Sequence, residues 1–338
     1  IMKKTLIAVA ALSAMAASAM AANVTVYGKI DQGLQIQSQK TDGLDRTTTW
    51  QGVSGVSSGS RWGLKGTEEI ADGYTVGFVL ESGFDGMTGK SGQGSRLFGR
   101  DAFVTLGTPF GSLTVGRTGM LSDGCTGDIV SGPASPFGTS YGIAAATTTS
   151  FVGLGETRTD RAVRYVSPKF AGVQFHAEYA NMNGEATAST KKRYGGVGVS
   201  YANGPFYAAI AAETIKQAAG VTADDPQIYS IAANYDFGVA KVFGGYQYAK
   251  DSVWGGEKLN AGTLGVSAPV AGGTVMASIA YAKGDNNRKL TTGAIGYKYS
   301  LSKRTYIYTD LAYAQEDAAT TEVTTKTTQF NVGLCHNF

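Results

Sequence analysis

Apolar and polar side chains alternate along most of this chain, in runs of about ten residues separated by turns or polar loops. Between Tyr229 and Phe237, for example, the odd-numbered positions are apolar, whereas Ser230, Asn234 and Asp236 occupy even-numbered ones. A two-residue period predicts β-strands that present one apolar face and one polar face. The pattern therefore predicts an all-β protein.

Sixteen runs of this kind can be counted, and an even number is typical of closed antiparallel barrels in bacterial outer membranes. They start near Asn23, Gly59, Gly73, Leu97, Gly111, Arg158, Gly172, Lys192, Gly204, Gln227, Ala240, Lys258, Gly273, Lys289, Arg304 and Lys326.

The connections between the runs alternate between short and long. Seven tight turns alternate with eight longer polar loops, the first of them predicted over Thr41 to Ser58. The third loop, Thr118 to Thr157, is the longest. In outer-membrane barrels the periplasmic turns are short and the external loops are long. Both chain ends are therefore predicted on the periplasmic side.

A 16-stranded antiparallel transmembrane β-barrel explains this count best. In hydrocarbon every backbone N–H and C=O needs a partner, and only a sheet closed on itself has no unpaired edge. A soluble β-sandwich would show the same alternation and is the alternative, but such domains usually have seven to nine strands. A barrel of sixteen strands encloses an aqueous lumen, which the polar face would line.

The N-terminus has the order of features found in a secretory signal. Lys3 and Lys4 precede the apolar stretch from Leu6 to Ala17, and small residues follow at Ala19 and Ala21. Cleavage after Ala21 is predicted, which leaves residues 22–338 as one barrel; a buried N-terminal helix is the alternative. Ile1 ahead of Met2 does not fit the signal pattern.

Composition narrows the possible functions. Gly 47 and a charged fraction of only 16% exclude a coiled coil, and after the signal no apolar run is long enough for a membrane-spanning helix. The net charge of +3 gives no indication of nucleic-acid binding. Two His and two Cys provide no pattern for a metal site or other cofactor.

Five short segments resemble the general diffusion porins of Gram-negative outer membranes, most closely the beta-proteobacterial type. They are Val24–Gly28, Ser60–Gly66, Gly99–Val104, Arg164–Pro168 and the C-terminal Gly333–Phe338. The resemblance lies in their order and spacing, and the segments are spread over the whole mature chain.

The resemblance implies a homotrimer embedded in outer-membrane lipid and lipopolysaccharide, with the third loop folded inward as a constriction. The constriction residues in this chain are Asp123, Asp128, Pro136, Phe137 and Gly138, and Ser135 stands where many relatives carry an acidic residue. Phe338 is implied as the signal read by the barrel-assembly machinery.

Basic residues on the polar parity are the candidate pore lining. Alternation predicts that Lys29, Arg61, Lys65, Arg158 and Arg164 point into the lumen. Arg117 shares its parity with the outward Val115, but the resemblance places an Arg of this context in the pore; Arg96 and Arg100 are predicted to point outward. Fixed charges at a constriction bias ion entry, so mild anion preference for small ions and solutes is expected.

The sequence leaves three alternative functions open, as well as the state of the two cysteines. A substrate-preferring porin would use the same barrel, and an outer-membrane enzyme could use His176, close to Glu178 on the polar face. A purely structural or adhesive barrel would not conduct. Cys125 and Cys335 are predicted to be separate thiols rather than a disulfide, because Cys335 lies near the periplasmic end.

Overall fold

A computed structural model describes residues 24–122, 125–144, 156–182, 192–217, 225–252, 256–318 and 323–338. These residues form seventeen antiparallel strands and one short 3-10 helix, Gly142–Ala144. The strands are β1 (Thr25–Thr41), β2 (Thr47–Ser54), β3 (Arg61–Ala71), β4 (Tyr74–Gly83), β5 (Asp101–Thr108), β6 (Gly111–Gly119), β7 (Arg158–Val166), β8 (Val173–Asn181), β9 (Arg193–Asn203), β10 (Phe206–Lys216), β11 (Gln227–Asp236), β12 (Lys241–Ser252), β13 (Gly256–Val270), β14 (Gly273–Gly284), β15 (Lys289–Ser300), β16 (Thr305–Asp317) and β17 (Thr324–Asn337).

The sheet closes on itself between its first and last strands. β1 pairs with β17 from Lys29 opposite Asn337 to Thr41 opposite Thr325. Gly28 and Phe338 extend this ladder by two backbone hydrogen bonds of 3.1 and 3.0 Å. β2 pairs with one half of β1 and β3 with the other, so the two segments share a single wall position. The seventeen segments thus form a barrel of sixteen strands, which confirms the predicted fold.

The first predicted loop is wrong in extent, because β2 lies within Thr41 to Ser58. β2 begins with three exposed threonines and has Gln51 bonded to Gln35 across the strand pair (Nε2 to Oε1, 2.8 Å). Trp50 is the one large apolar side chain on the outer face of this strand, so alternation does not reveal it. Hydrogen bonding to β1 forms the strand with little apolar surface.

The outer surface of the barrel is apolar and exposed. Val26, Leu34 and Ile279 are each more than 60% exposed, and large apolar side chains of the other strands share this face. An apolar belt of this extent is stable against hydrocarbon rather than water.

Among the described residues, no helix has the length and apolar character needed to cross a membrane.

Residues 119–122 and 125–144 follow the inner face of the wall over more than half of the strands. The Tyr207 hydroxyl of β10 donates to the Ile129 carbonyl (2.8 Å), and the Asn234 amide of β11 donates to the Pro133 carbonyl (2.9 Å). At the far end the Ile143 N–H donates to the Gln329 side chain of β17 (3.3 Å). The segment therefore contacts the wall from β9 to β17, and near its start it also bonds to Asp101 of β5 and Arg164 of β7.

Glycines of the wall provide the space that this segment occupies. A Cβ atom at Gly198, Gly245 or Gly296 would lie 2.6 Å from Ile129, 2.7 Å from Ala134 and 2.8 Å from Phe137, respectively. Gly265 lies in the same way beneath Pro136. These four positions, on β9, β12, β13 and β15, are called the glycine shelf below.

The chain between β2 and β3 leaves the wall and supports the end of the same segment. Gly55, at φ +76°, starts this excursion, and the buried Val56 accepts a hydrogen bond from the Tyr141 N–H (2.5 Å). Ser57 donates to the Tyr141 hydroxyl (2.9 Å). Burial raises the pKa of Tyr141 to about 12, so this hydroxyl stays protonated at neutral pH.

Candidate pore constriction and its charged wall

Two of the predicted basic residues lie side by side on the inner face of the wall. Lys29 of β1 and Arg61 of β3 are directly paired across the strands. The Ser58 hydroxyl accepts hydrogen bonds from Lys29 Nζ (3.0 Å) and Arg61 Nη2 (3.2 Å), and the Gly59 carbonyl accepts one from Arg61 Nε (2.8 Å). The excursion between β2 and β3 therefore fixes the direction of both cations.

A third cation, Arg100, joins this group through a shared carboxylate. Glu81 of β4 lies 2.5 Å from Arg100 Nε and 3.6 Å from Arg61 Nη1, and it also accepts the Tyr27 hydroxyl (2.9 Å). The side chain of Glu81 is only 8% exposed, whereas that of Arg61 is 22% exposed. The carboxylate thus lies behind the guanidinium groups and orients them.

Arg158 stands on the same side, at the start of β7. Its electrostatic neighbours include Arg100 and Asp101, and its buried Nε has no hydrogen-bond partner among the described residues. Asp101 accepts the Thr126 hydroxyl (2.5 Å) and is 4% exposed. Lys29, Arg61, Arg100 and Arg158 are called the basic wall below.

Asp31 is the third carboxylate close to the basic wall and is fully buried. It accepts the Ser58 N–H and the Tyr308 hydroxyl, both at 2.6 Å. Asp31, Glu81 and Asp101 are therefore all bonded behind the surface, and the cations are the more exposed charges of the group.

Lys65 and Arg164 share the inner parity but lie in different surroundings. Lys65 is exposed, and its Nζ lies 5.1 Å above the Tyr27 ring. Arg164 is buried against Glu178 in an ion pair, and it also donates to the carbonyls of Gly119 and Thr126. Arg164 therefore holds the start of the third loop, and Glu178 balances its charge.

Arg117 is an electrostatic neighbour of Arg158, but its side chain lies at the outer face of the wall. It borders a cavity together with the outward Val115, and its Nη1 donates to Asp160 (2.6 Å), which also binds Arg96. Strict alternation predicts this position on the outer face, whereas the family resemblance predicts that Arg117 lies in the pore.

Most of the predicted constriction residues contact the wall. Asp128 accepts the backbone N–H groups of Val130, Ser131 and Gly132, which fixes a turn. Pro136 and the buried Phe137 cover the glycine shelf, and Gly138 adopts φ +59° directly after them. Asp123 lies outside the described residues, as does the predicted signal segment.

Three comparisons with known proteins bear on this geometry. The sequence model of the Gram-negative porin family matches residues 8–319. The chain belongs to this family. An outer membrane porin of Bordetella pertussis is 31% identical over the full length of both chains. Outer membrane porin protein 32 of Delftia acidovorans is 34% identical over 95% of this chain and 92% of its own.

Solved porin structures share the fold. The anion-selective porin from Comamonas acidovorans matches with a TM-score of 0.74 and 27% identity, over 94% of this chain and all of its own. The trimer form of OmpT from Vibrio cholerae matches with a TM-score of 0.66 at 16% identity. The protein is therefore a porin of the outer membrane, as the sequence predicted.

Arg100 is the member of the basic wall that alternation assigns to the wrong face. A strand predicted near Leu97 places Arg100 outward, but β5 begins only at Asp101. The Arg100 N–H instead donates to the Glu81 carbonyl (3.1 Å), and its side chain turns toward the Glu81 carboxylate. The period applies only within a strand, so it carries no information at this position.

His176 forms one of the contacts that a hydrolytic site would need. Its Nε2 lies 2.9 Å from the Ser200 hydroxyl on the inner face. The nearby Glu178 is bonded to Arg164 and Thr159 instead of to the imidazole. A catalytic triad also needs an acid that orients the histidine.

Two further site predictions concern thiols and metals. Cys125 and Cys335 are not joined by a disulfide. Within the described residues, no group of three or more His, Cys, Asp or Glu side chains has an arrangement that could hold a metal ion.

Proposed function

We propose that this porin passes small hydrophilic solutes by diffusion, with a mild preference for anions. The observation that carries the proposal is the unequal exposure of charge at the basic wall. Lys29, Arg61, Arg100 and Arg158 stand in front of carboxylates that are nearly or fully buried. Charged side chains that line a narrow passage select the ions that enter.

The third loop completes the proposed constriction. We infer that solutes pass between the basic wall and the part of the loop that contacts β9 to β17, while the start of the loop is bonded to Asp101 of β5. Its tip carries Ser135, Pro136 and Phe137, and the carboxylate of Asp128 is occupied by three backbone N–H groups. The tip, residues 135–138, therefore adds no carboxylate to the passage, which supports anion preference.

The similarity to a porin named as anion-selective agrees with this proposal. The protein is further proposed to form a homotrimer in lipid and lipopolysaccharide, to be assembled by machinery that reads Phe338, and to carry out no chemistry on its solutes. The OmpT structure named as a trimer form has the same fold.

Ion replacement in planar bilayers tests the conduction path and its preference together. Replacing chloride by bulky gluconate is expected to lower single-channel conductance more than replacing potassium by bulky Tris does. Openings in groups of three would support the trimer. A stronger effect of the cation replacement, or the absence of channels from correctly folded protein, would refute the proposal.

A further inference from the structure

The excursion between β2 and β3, residues 55–60, connects a buried carboxylate to two cations of the basic wall. The Ser58 hydroxyl accepts hydrogen bonds from Lys29 and Arg61, and the Ser58 N–H donates to Asp31. We propose that Asp31, acting through Ser58, is a positioning residue that keeps both cations directed at the passage. This inference rests on the proposed anion preference and names residues that determine it.

Asp31 binds the excursion through its backbone as well as through its side chain. Its carbonyl accepts the Gly55 N–H (2.9 Å), and its N–H donates to the Ser60 hydroxyl (3.1 Å). Between these two points, its carboxylate accepts the Ser58 N–H (2.6 Å). The beginning, the middle and the end of the excursion are thus all bonded to one residue of β1.

Tyr308 of β16 fixes the carboxylate of Asp31 from the opposite side. Its hydroxyl donates to Asp31 Oδ1 (2.6 Å). The Tyr308 side chain crosses β17 at Gly333, where a Cβ atom would collide with the hydroxyl. Asp31 is fully buried, and hydrogen bonds to a charged acceptor are strong in such surroundings. The carboxylate therefore has a fixed orientation toward Ser58.

Lys29 depends on Ser58 more than Arg61 does. Among the residues that the structure describes, the Ser58 hydroxyl is the one hydrogen-bond partner of Lys29 Nζ (3.0 Å). Arg61 is also bound by the Gly59 carbonyl and lies close to Glu81. A lysine ammonium is carried on a flexible four-carbon stem. Loss of the Ser58 hydroxyl, or displacement of the excursion, therefore allows Lys29 to turn away from the passage.

The charge of Asp31 and its positioning role have opposite effects on ion preference. Asp31 is an electrostatic neighbour of Lys29. As a negative charge it favours cations, so removal of the charge alone should raise the permeability ratio of chloride to potassium. Loss of its hydrogen bonds should instead lower this ratio, because the cations are no longer held. The direction of the change therefore separates the two effects.

Two substitutions of Asp31 separate its charge from its hydrogen bonds. Asp31→Asn removes the charge, but an amide can still accept the Ser58 N–H and donate to the Tyr308 hydroxyl oxygen. Asp31→Ala removes the charge and both bonds. Reversal potentials in planar bilayers, under a gradient of potassium chloride, measure the permeability ratio. The ratio is expected to stay the same or rise in Asp31→Asn and to fall about 1.5- to 2-fold in Asp31→Ala.

Ser58→Ala tests the same connection without a change of charge. The ratio is expected to fall about as much as in Asp31→Ala, since Lys29 loses its bond in both variants. The matched control is Ser200→Ala, which removes a hydroxyl on the inner face of β9, where it lies 2.9 Å from His176 Nε2. This control should keep the wild-type ratio. Heat-modifiability on gels shows that each variant is folded before it is recorded.

Three outcomes would overturn the inference and leave the anion preference intact. They are a wild-type ratio in Ser58→Ala, an equal rise in Asp31→Ala and Asp31→Asn, and a fall in Ser200→Ala as large as that in Ser58→Ala. If Asp31→Ala does not fold, the comparison of Ser58→Ala with Ser200→Ala decides. A wild-type pore without anion preference would refute the proposed function, and the inference with it.

Discussion

At the scale of single residues, the charge that a passing ion meets depends on whether the cations or the carboxylates reach the surface. Arg61 is partly exposed on the inner face, while its partner Glu81 is almost completely buried. Charges within about 8 Å of a passing ion at physiological salt are only partly screened. The exposed cations therefore affect permeating ions more than the carboxylates behind them.

Removing one of these cations is expected to weaken the anion preference. Arg61→Gln keeps a donor for Ser58 and Gly59 but removes the charge, and the permeability ratio of chloride to potassium is expected to fall about two- to threefold. Reversal potentials under a salt gradient measure this ratio. Arg304→Gln, at an exposed turn on the opposite rim, is the control and should leave the ratio unchanged. An equal loss in both variants would contradict a local effect.

Arg164 is expected to affect the stability of the folded protein rather than its ion selectivity. Arg164→Ala leaves the buried Glu178 without its partner and should lower the free energy of unfolding by about 3 kcal/mol. Urea denaturation in detergent micelles measures this loss. The double variant Arg164→Leu/Glu178→Leu should recover most of it. A fully stable Arg164→Ala protein would mean that the pair does not hold the third loop.

Side-chain direction could be predicted from the sequence only within regular strands. Lys29, Arg61 and Lys65 follow their parity, since β1 and β3 are paired without interruption at these positions. Arg100 precedes its strand, and the register shift opposite Gly116 changes which residues of β7 face inward. The ion pairs with Glu81 and Asp160 join residues far apart in sequence, so alternation contains no signal for them.

At the scale of elements, the third loop packs closely against the wall at glycines, which have no side chain. Ile129, Ala134, Pro136 and Phe137 rest on the glycine shelf, where a Cβ atom would be too close. The loop therefore keeps its position through close packing as well as through hydrogen bonds to β10, β11 and β17.

Adding one methyl group to the shelf should displace the loop tip. In Gly296→Ala the new Cβ would lie 2.8 Å from the Phe137 ring, so the tip must move, at a cost of about 1–3 kcal/mol. Single-channel recordings are expected to show altered conductance and more current noise. Gly293→Ala is the matched control, because no atom lies within 4 Å of its Cβ position on the same strand. Identical recordings from both variants would contradict the packing role of Gly296.

The glycine shelf shows why the packing of the third loop against the wall could not be predicted from the sequence. Gly198 belongs to a glycine-rich stretch of β9, but no local pattern distinguishes the glycines beneath the loop from outward ones such as Gly195 and Gly293. β2 was missed for a related reason, since its polar sequence becomes a strand only through pairing with β1.

At the scale of the whole molecule, the barrel closes where the start of β1 meets the residue after β17. The last residue, Phe338, exchanges two backbone hydrogen bonds with Gly28, and its ring occupies the place of the missing Gly28 side chain. The number of strands and the closed form could be predicted from the sequence, because alternation repeats in the strands other than β2. The break between β2 and β3 could not, because it depends on contacts with Asp31 and Tyr141.

The contact at the seam leads to a prediction about assembly. Phe338→Ala keeps the backbone bonds but removes the ring from Gly28, and slower insertion into vesicles that contain the barrel-assembly machinery is expected. The fraction of heat-modifiable, folded protein over time measures insertion. Asn337→Ala changes the neighbouring residue and should insert at the wild-type rate. Equal rates for the three proteins would contradict a role of Phe338 in assembly.

The zero-current potential of the wild-type pore in a planar bilayer, under a gradient of potassium chloride, tests the role of the basic wall most directly. With the basic wall facing the passage, chloride should cross faster than potassium, so the dilute side should become negative. A positive potential on the dilute side would show that cations are preferred, and it would contradict anion selection by Lys29, Arg61, Arg100 and Arg158.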